Sequence, residues 1–125
     1  MQTKKVLLFN IENAKKIQIE NVCKKCNALC KTIAPADYSK TLGELAGVLT
    51  VKKNVPSYTG GELPAEMLVF SGFTDNELDE FLKHYRESGI SPVALKAVIT
   101  TTNVFWSAID TYRELLKESL YYKRK

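Results

Sequence analysis

Two short apolar runs decide the fold: Val6-Leu7-Leu8-Phe9 near the start of the chain and Met67-Leu68-Val69-Phe70 in its second half. Neither run alternates with polar residues, which is typical of strands that are buried on both faces of a sheet. Such strands belong to sheets whose two faces are covered by helices. We therefore predict an α/β protein in which these two runs form buried strands.

Between and after these runs, several segments carry apolar residues at helical spacing. The clearest helix begins after Thr74, which forms a capping box with Glu77, and it ends before Gly89. Asn27 predicts a left-handed stop for an earlier helix. The predicted order is strand 4–9, helix 12–27, strand 29–34, short helix 41–48, strand 67–70, helix 75–88, strand 93–100 and helix 107–121.

This order is compatible with two sheets. If the short helix 41–48 covers a crossover, the chain forms an open, four-stranded, mostly parallel sheet with helices on both faces. If it does not, strands 29–34 and 67–70 pair antiparallel, which gives a ferredoxin-like α+β sandwich with an extra C-terminal helix. The buried character of the first, third and fourth strands favours the mostly parallel sheet. No internal repeat is visible in the sequence.

Length and composition fit one domain. The chain has 125 residues, of which 45% are hydrophobic and 26% charged, as in ordinary globular proteins. We expect a single α/β domain over 1–125, with an irregular loop at 49–65 and a frayed basic tail at 122–125. No apolar run reaches the ~18 residues of a membrane span, and no secretory segment follows the first residues. We therefore expect a cytoplasmic protein without a membrane partner.

The basic residues do not form the clustered stripe of a nucleic-acid binder. The formal net charge is +4, and Lys123-Arg124-Lys125 at the end of the chain supplies much of it. We therefore do not expect nucleic acid as a partner. Three lysine pairs are interpreted as solvent-exposed faces: Lys15-Lys16, Lys24-Lys25 and Lys52-Lys53.

Cys23, Cys26 and Cys30 lie close together in the sequence. A structural zinc site needs four ligands, and a thioredoxin-like pair is found at the start of a helix rather than near its end. The cysteines are therefore predicted to pack in the core as small apolar residues, with metal binding and redox chemistry as the alternatives. We predict no metal and no cofactor.

Polar residues follow the predicted strands. In open parallel sheets, ligands bind beyond the carboxyl ends of the strands, although turns and helix caps require the same residue types. Lys96 is the one charge inside the fourth strand's apolar run, and it either snorkels or meets an acid such as Glu66. Catalytic residues are not identifiable, because no nucleophile–base pair or phosphate loop is recognisable. The candidate ligand-binding residues are Asn10, Ser71, Gly72, Lys96, Thr100, Thr102 and Asn103.

Two segments carry a resemblance to a known family: Leu-Val-Phe-Ser-Gly-Phe at 68–73 and Leu-Lys-Ala-Val-Ile-Thr-Thr-Thr-Asn-Val-Phe-Trp at 95–106. Over residues 66–120 the chain resembles a small bacterial family, the domain of unknown function number 3783. The family pattern places a proline between two threonines, where this chain has Thr101, so the turn is expected to be less rigid. The resemblance implies a bacterial cytoplasmic protein and no particular activity. It also draws attention to Trp106.

Two functions from different classes follow. The missing catalytic constellation and the terminal aromatic residues Tyr121 and Tyr122 favour a non-catalytic regulatory or protein-interaction module. Its partner is an unknown protein, with a homodimer as one form. The alternative is a small-ligand or phosphate-binding domain with its site at the carboxyl ends of the strands. Catalysis is the less favoured outcome.

Overall fold

The computed structural model describes residues 3–52 and 55–123, so Arg124 and Lys125 of the predicted tail lie outside it. Two 3₁₀ turns, Pro35–Asp37 and Asn103–Phe105, separate the main elements. The strands and helices are β1 (Lys5–Phe9), α1 (Asn13–Lys25), β2 (Leu29–Thr32), α2 (Leu42–Ala46), β3 (Met67–Ser71), α3 (Asp75–Glu87), β4 (Leu95–Val98) and α4 (Ala108–Lys123).

The four strands form one mixed, mostly parallel sheet in the order β2-β1-β3-β4. β1 pairs with β2 in parallel, β3 pairs with β4 in parallel, and the two central strands β1 and β3 run antiparallel. The predicted open α/β sheet is thereby confirmed. Because β1 separates β2 from β3, the ferredoxin-like pairing of those two strands is not adopted. The central reversal of strand direction is not predicted by any local pattern in the sequence.

Helices cover both faces of the sheet, as predicted. β1 and β3 alternate their buried side chains between two cores, since successive strand residues point to opposite faces. α1 and α3 pack on one face and α2 and α4 on the other. The first core contains Val6, Leu8, Ile19, Val22, Cys23, Leu68, Phe70, Phe81 and Tyr85 among others, and the second contains Leu7, Phe9, Leu42, Leu45, Met67, Val69, Ala108 and Tyr112.

The two halves of the chain are related by an approximate two-fold axis perpendicular to the sheet. Each half is a β-α-β unit followed by a 3₁₀ turn and a further helix. The axis passes between Leu7 and Val69, which form the central pair of the two strands. On either side of this pair, Lys5 lies opposite Ser71 and Phe9 lies opposite Met67. Position 5 thus corresponds to position 67, and position 13 to position 75. The structure contains an internal repeat that the sequence does not show.

Backbone conformations repeat at equivalent positions. Asn10 and Gly72 follow the central strands with φ of 58° and 77°, and Asn27 and Gly89 end α1 and α3 with φ of 56° and 71°. Asparagine and glycine are the residues that adopt this left-handed conformation at least cost. The same turns are therefore built twice, with different residues of similar backbone preference.

The starts of α2 and α4 meet at the axis on the second core's side of the sheet. Leu42 N donates to Trp106 O at 2.9 Å and Ala108 N donates to Lys40 O at 3.0 Å, around an isolated antiparallel bridge between Thr41 and Ser107. Thr41 and Ser107 also accept hydrogen bonds from the third residue of the following helix. This reciprocal bonding defines which residues of the two halves are equivalent.

The described residues of the 49–65 segment contain no helix or strand, and several bonds hold the segment against the body. Tyr58 N donates to Ala36 O at 3.0 Å, and Ser39 Oγ donates to Pro56 O at 2.8 Å. The Tyr38 hydroxyl donates to the Glu62 carboxylate. Among the described helices, none is long and apolar enough to cross a bilayer.

Candidate functional site

The antiparallel centre of the sheet divides the predicted strand-end site. Since Lys5 lies opposite Ser71 and Phe9 opposite Met67, the carboxyl ends of β1 and β3 point to opposite ends of the sheet. Asn10 therefore lies at one end, while Ser71 and Gly72 lie at the other. The candidate residues do not form a single cluster.

Asn10 is engaged in holding the 49–65 segment. Its side-chain amide Nδ2 donates to Leu63 O at 2.7 Å, and its backbone has a left-handed φ. It borders a hollow of about 340 Å³ together with Thr32, Glu62 and Glu66. The Asn10 amide therefore fixes a loop, and its left-handed backbone forms a turn. These two structural roles explain why an asparagine stands at this position.

At the other end of the sheet, Ser71, Gly72 and Thr100 border one hollow of about 340 Å³. Val48, Ile99 and Val104 form its apolar side. Ser71 is buried. The structure therefore brings these three candidates together, as the strand-end hypothesis requires.

The remaining strand-end candidates use their polar atoms to build the turn after β4. Asn103 Oδ1 accepts from Thr100 N at 2.7 Å, and Asn103 Nδ2 donates to Val98 O at 3.0 Å. Thr100 Oγ1 accepts from the backbone N–H groups of Thr102 and Asn103 at 3.2 and 3.0 Å. These groups are satisfied locally, so few polar atoms are left to converge on a ligand.

Lys96 lies on the α1 and α3 face of the sheet, away from the hollow at Ser71. Its Nζ donates to Val93 O at 3.0 Å. Glu66, the acid considered as its partner, pairs instead with Lys15 at 2.7 Å. Lys15 is only 5% exposed, so its interpretation as part of a solvent-exposed face is wrong. Its spacing of four residues before Ile19 placed it on the buried side of α1.

The cysteines pack against the α1 and α3 core. Cys23 is buried, and hydrogen bonding with Cys30 together with burial raises the pKa of the Cys23 thiol. The same bond lowers the pKa of Cys30, while burial raises that of Cys26. Within the part of the chain that the structure describes, no three His, Cys, Asp or Glu side chains are arranged to hold a metal ion.

A group of exposed apolar side chains lies at the turn between β4 and α4. Phe105 is 66% exposed and Trp106 39%, although both are large aromatic residues. Val48 and Val51, at 40% and 50%, belong to the neighbouring segment, whose Leu49, Thr50 and Lys52 border a hollow with Phe105. We call these four residues, Val48, Val51, Phe105 and Trp106, the aromatic corner.

A trough extends from the aromatic corner along the outer side of α4. It begins at Trp106 and passes Leu116, with charged residues of both signs beside it. The Asp110 carboxylate oxygen Oδ1 lies 3.5 Å from the Arg113 guanidinium nitrogen Nη1, and the Glu114 carboxylate oxygen Oε1 lies 3.4 Å from Lys117 Nζ. The surface thus combines an exposed aromatic end with alternating charges.

The internal repeat provides a comparison for the aromatic corner. The bonds around Thr41 and Ser107 make Lys40 the residue of the first half that is equivalent to Trp106. Counted back one residue further, Ser39 corresponds to Phe105, although the 3₁₀ turn ends at Asp37 in the first half and at Phe105 in the second. The first half therefore enters its helix through two polar residues. Exposed aromatic side chains are not required for the fold at this position. Of these two aromatic residues, only Trp106 is indicated by the family resemblance.

Comparison with known proteins finds one family. The family model described as Domain of unknown function (DUF3783) matches residues 66–122, which confirms the resemblance. The matched segment extends from the start of β3 into α4 and so corresponds to the second half of the repeat. No curated protein and no solved structure matches the chain.

Proposed function

We propose that this protein is a non-catalytic protein-interaction module of the bacterial cytoplasm that binds a second copy of itself through the aromatic corner. The observation that carries this proposal is the difference between the two halves. Phe105 and Trp106 are exposed where the first half has Ser39 and Lys40. Large apolar side chains that the fold does not need, grouped on a surface, are typical of an interaction site.

The charges beside the corner favour a second copy as the partner. In a two-fold symmetric dimer, the same surface patch of both subunits meets itself, so it must be self-complementary. The trough along α4 carries Asp110 and Glu114 together with Arg113 and Lys117. Two antiparallel α4 helices bring the acidic residues of each copy opposite the basic residues of the other.

The residue chemistry is compatible with the cytoplasm, where thiols stay reduced. Cys23, Cys26 and Cys30 are all free, and the family resemblance implies a bacterial source. A ligand site at the strand ends has weaker support. Of its candidates, Ser71, Gly72 and Thr100 border one hollow, and the Thr100 hydroxyl already accepts two backbone hydrogen bonds.

Sedimentation equilibrium of the purified protein between about 5 and about 200 µM tests this proposal. We expect the wild type to change from monomer to dimer over this range. The variant Phe105→Ser/Trp106→Lys gives the second half the residues of the first half. We expect it to be monomeric throughout, with a circular dichroism spectrum like that of the wild type.

Ile17→Ser is the matched control, because Ile17 is 61% exposed but lies on α1, outside the corner. We expect this variant to dimerise like the wild type. A wild-type protein that stays monomeric at about 200 µM overturns the proposal. So does a Phe105→Ser/Trp106→Lys variant that dimerises as well as the wild type.

A further inference from the structure

A pocket of about 230 Å³ opens between α3 and the loop that leads to β4. It lies on the α1 and α3 face of the sheet, apart from the aromatic corner. Leu68, Tyr85 and Val93 provide part of its mainly apolar lining. The two charged residues that line it, Arg86 and Lys96, are both basic. The pocket therefore combines an apolar interior with positive charge at its border.

The pocket exists because the second half has a longer loop than the first. In the first half, Ala28 alone separates the left-handed Asn27 from β2. In the second half, residues 90–94 lie between the left-handed Gly89 and β4. Ile90, Pro92 and Val93 of this longer loop line the pocket. The internal repeat thus shows that the pocket is an addition to a connection that can be made without it.

The loop is fixed by side chains bound to three consecutive carbonyl groups. Tyr85 hydroxyl donates to Ser91 O at 2.6 Å, Lys15 Nζ to Pro92 O at 3.3 Å, and Lys96 Nζ to Val93 O at 3.0 Å. A pocket that is held open before a ligand arrives loses less entropy when the ligand binds. These bonds therefore make the loop a preorganised wall.

Both basic residues retain hydrogen-bonding capacity. An ammonium group has three N–H donors, of which Lys96 directs one to Val93 O. Among the side chains that the structure describes, no carboxylate pairs with the Arg86 guanidinium. Arginine and lysine bind carboxylates through charge-assisted hydrogen bonds. The border of the pocket is therefore suited to a carboxylate.

We propose that this pocket binds a small carboxylate with an aromatic or branched apolar body. An apolar cavity of ~150 Å³ accommodates benzene, so about 230 Å³ is sufficient for one ring or a branched chain. Arg86 and Lys96 bind the carboxylate while the apolar body contacts Leu68, Tyr85 and Val93. A free acid and the C-terminal residue of a polypeptide both have this chemistry.

Titration of the ¹⁵N-labelled protein with 3-phenylpropionate, followed by NMR, tests the proposal. We expect saturable shifts of the amides of Tyr85, Ile90 and Val93, with a Kd of about 1 mM. The neutral isostere 3-phenylpropanamide should bind at least about fivefold more weakly, because it lacks the charge. A tripeptide that ends in phenylalanine, titrated in parallel, shows whether a polypeptide terminus binds more tightly than the free acid.

Lys96→Gln and Arg86→Gln are each expected to weaken binding of 3-phenylpropionate about fivefold. Lys83→Gln is the matched control, because Lys83 is exposed on α3 but does not line the pocket. It should bind like the wild type. The proposal is overturned if no saturable shift is seen up to about 20 mM, or if the amide binds as well as the acid. Equal weakening by Lys83→Gln also overturns it.

Discussion

Lys15 Nζ lies 2.7 Å from Glu66 Oε1, and this ion pair is the charge-reversed image of another pair in the molecule. The positions equivalent to Lys15 and Glu66 under the two-fold axis hold Glu77 and Lys4, whose charged atoms are 3.1 Å apart. Each pair ties the first turn of a helix to the residue before the central strand of the other half. The two halves are thus connected by the same bridge twice, with the lysine on the helix in one and beside the strand in the other.

The Lys15 and Glu66 pair is expected to contribute more to stability than its image, because the Lys15 side chain is only 7% exposed. Glu66→Gln leaves the buried ammonium without its counter-charge and should lower the free energy of unfolding by about 2 kcal/mol. Urea unfolding at pH 7 measures this. Lys4→Gln is the matched control and should cost clearly less, because its pair is more exposed. Equal losses in the two variants contradict the expectation.

Asn10 is expected to act on stability through two separable contributions, its left-handed backbone and its bond to Leu63 O. Asn10→Ala removes the bond and strains the backbone, so unfolding should become easier by about 2 kcal/mol. Asn10→Gly removes only the bond and should cost about 1 kcal/mol. Thermal or urea unfolding of both variants checks the order. If Asn10→Ala is as stable as the wild type, this assignment is wrong.

Glu44 is expected to make stability depend on pH. Its carboxylate accepts hydrogen bonds from the backbone N–H groups of Lys52 and Thr41 at 2.8 and 3.0 Å, which lowers its pKa. A lowered pKa in the folded state means that the contribution is present at neutral pH. It is lost as the pH falls through the folded-state pKa. Glu44→Gln should therefore reduce stability by about 1 kcal/mol at pH 7 and by less in acid.

Urea unfolding of wild type and Glu44→Gln at pH 7 and at about pH 3 measures this difference. Asp79→Asn serves as the control, because Asp79 is exposed and makes no ion pair with a side chain that the structure describes. Its effect should be small at both pH values. A loss from Glu44→Gln that is as large in acid as at pH 7 refutes the role given to the carboxylate.

The thiols are expected to react at different rates in the folded protein. Cys30 should react first with a disulfide reagent, because the bond from Cys23 lowers its pKa, and buried Cys23 should react last. Cys23→Ala removes that bond, so the pH midpoint of Cys30 reactivity should rise. Mass spectrometry of timed samples between pH 6 and about pH 10 identifies the modified residue. Rapid modification of all three thiols contradicts burial of Cys23.

The sequence was sufficient to predict the elements but not the direction of the strands. The capping box of Thr74 and Glu77 and the left-handed stop at Gly89 are local features, and both are present in the structure. The apolar runs of β1 and β3 have the same composition whichever way the strands point. Their antiparallel pairing depends on the connection between α2 and β3, in which no local pattern sets the direction of the next strand. The strand-end candidates were separated for this reason.

The internal repeat and the aromatic corner depend on equivalences that local patterns do not show. Equivalent positions carry Ile19 and Phe81, or Asn27 and Gly89, which share burial or backbone preference but not identity. Trp106 was singled out only through the family resemblance. In the structure, Lys40 occupies the position equivalent to Trp106 in the first half, so the fold does not require an aromatic residue there. The side chains of Tyr121 and Tyr122, also considered as an interaction surface, lie outside the described residues.

Trp106 is the only tryptophan in the chain, so its fluorescence reports directly on the proposed interface. On dilution from about 200 to about 1 µM, we expect its emission maximum to move to longer wavelength as the dimer separates and the ring enters water. Phe105→Ser should give the long-wavelength emission at every concentration. An emission maximum that is independent of concentration in the wild type, and unchanged in Phe105→Ser, would contradict self-association through the aromatic corner.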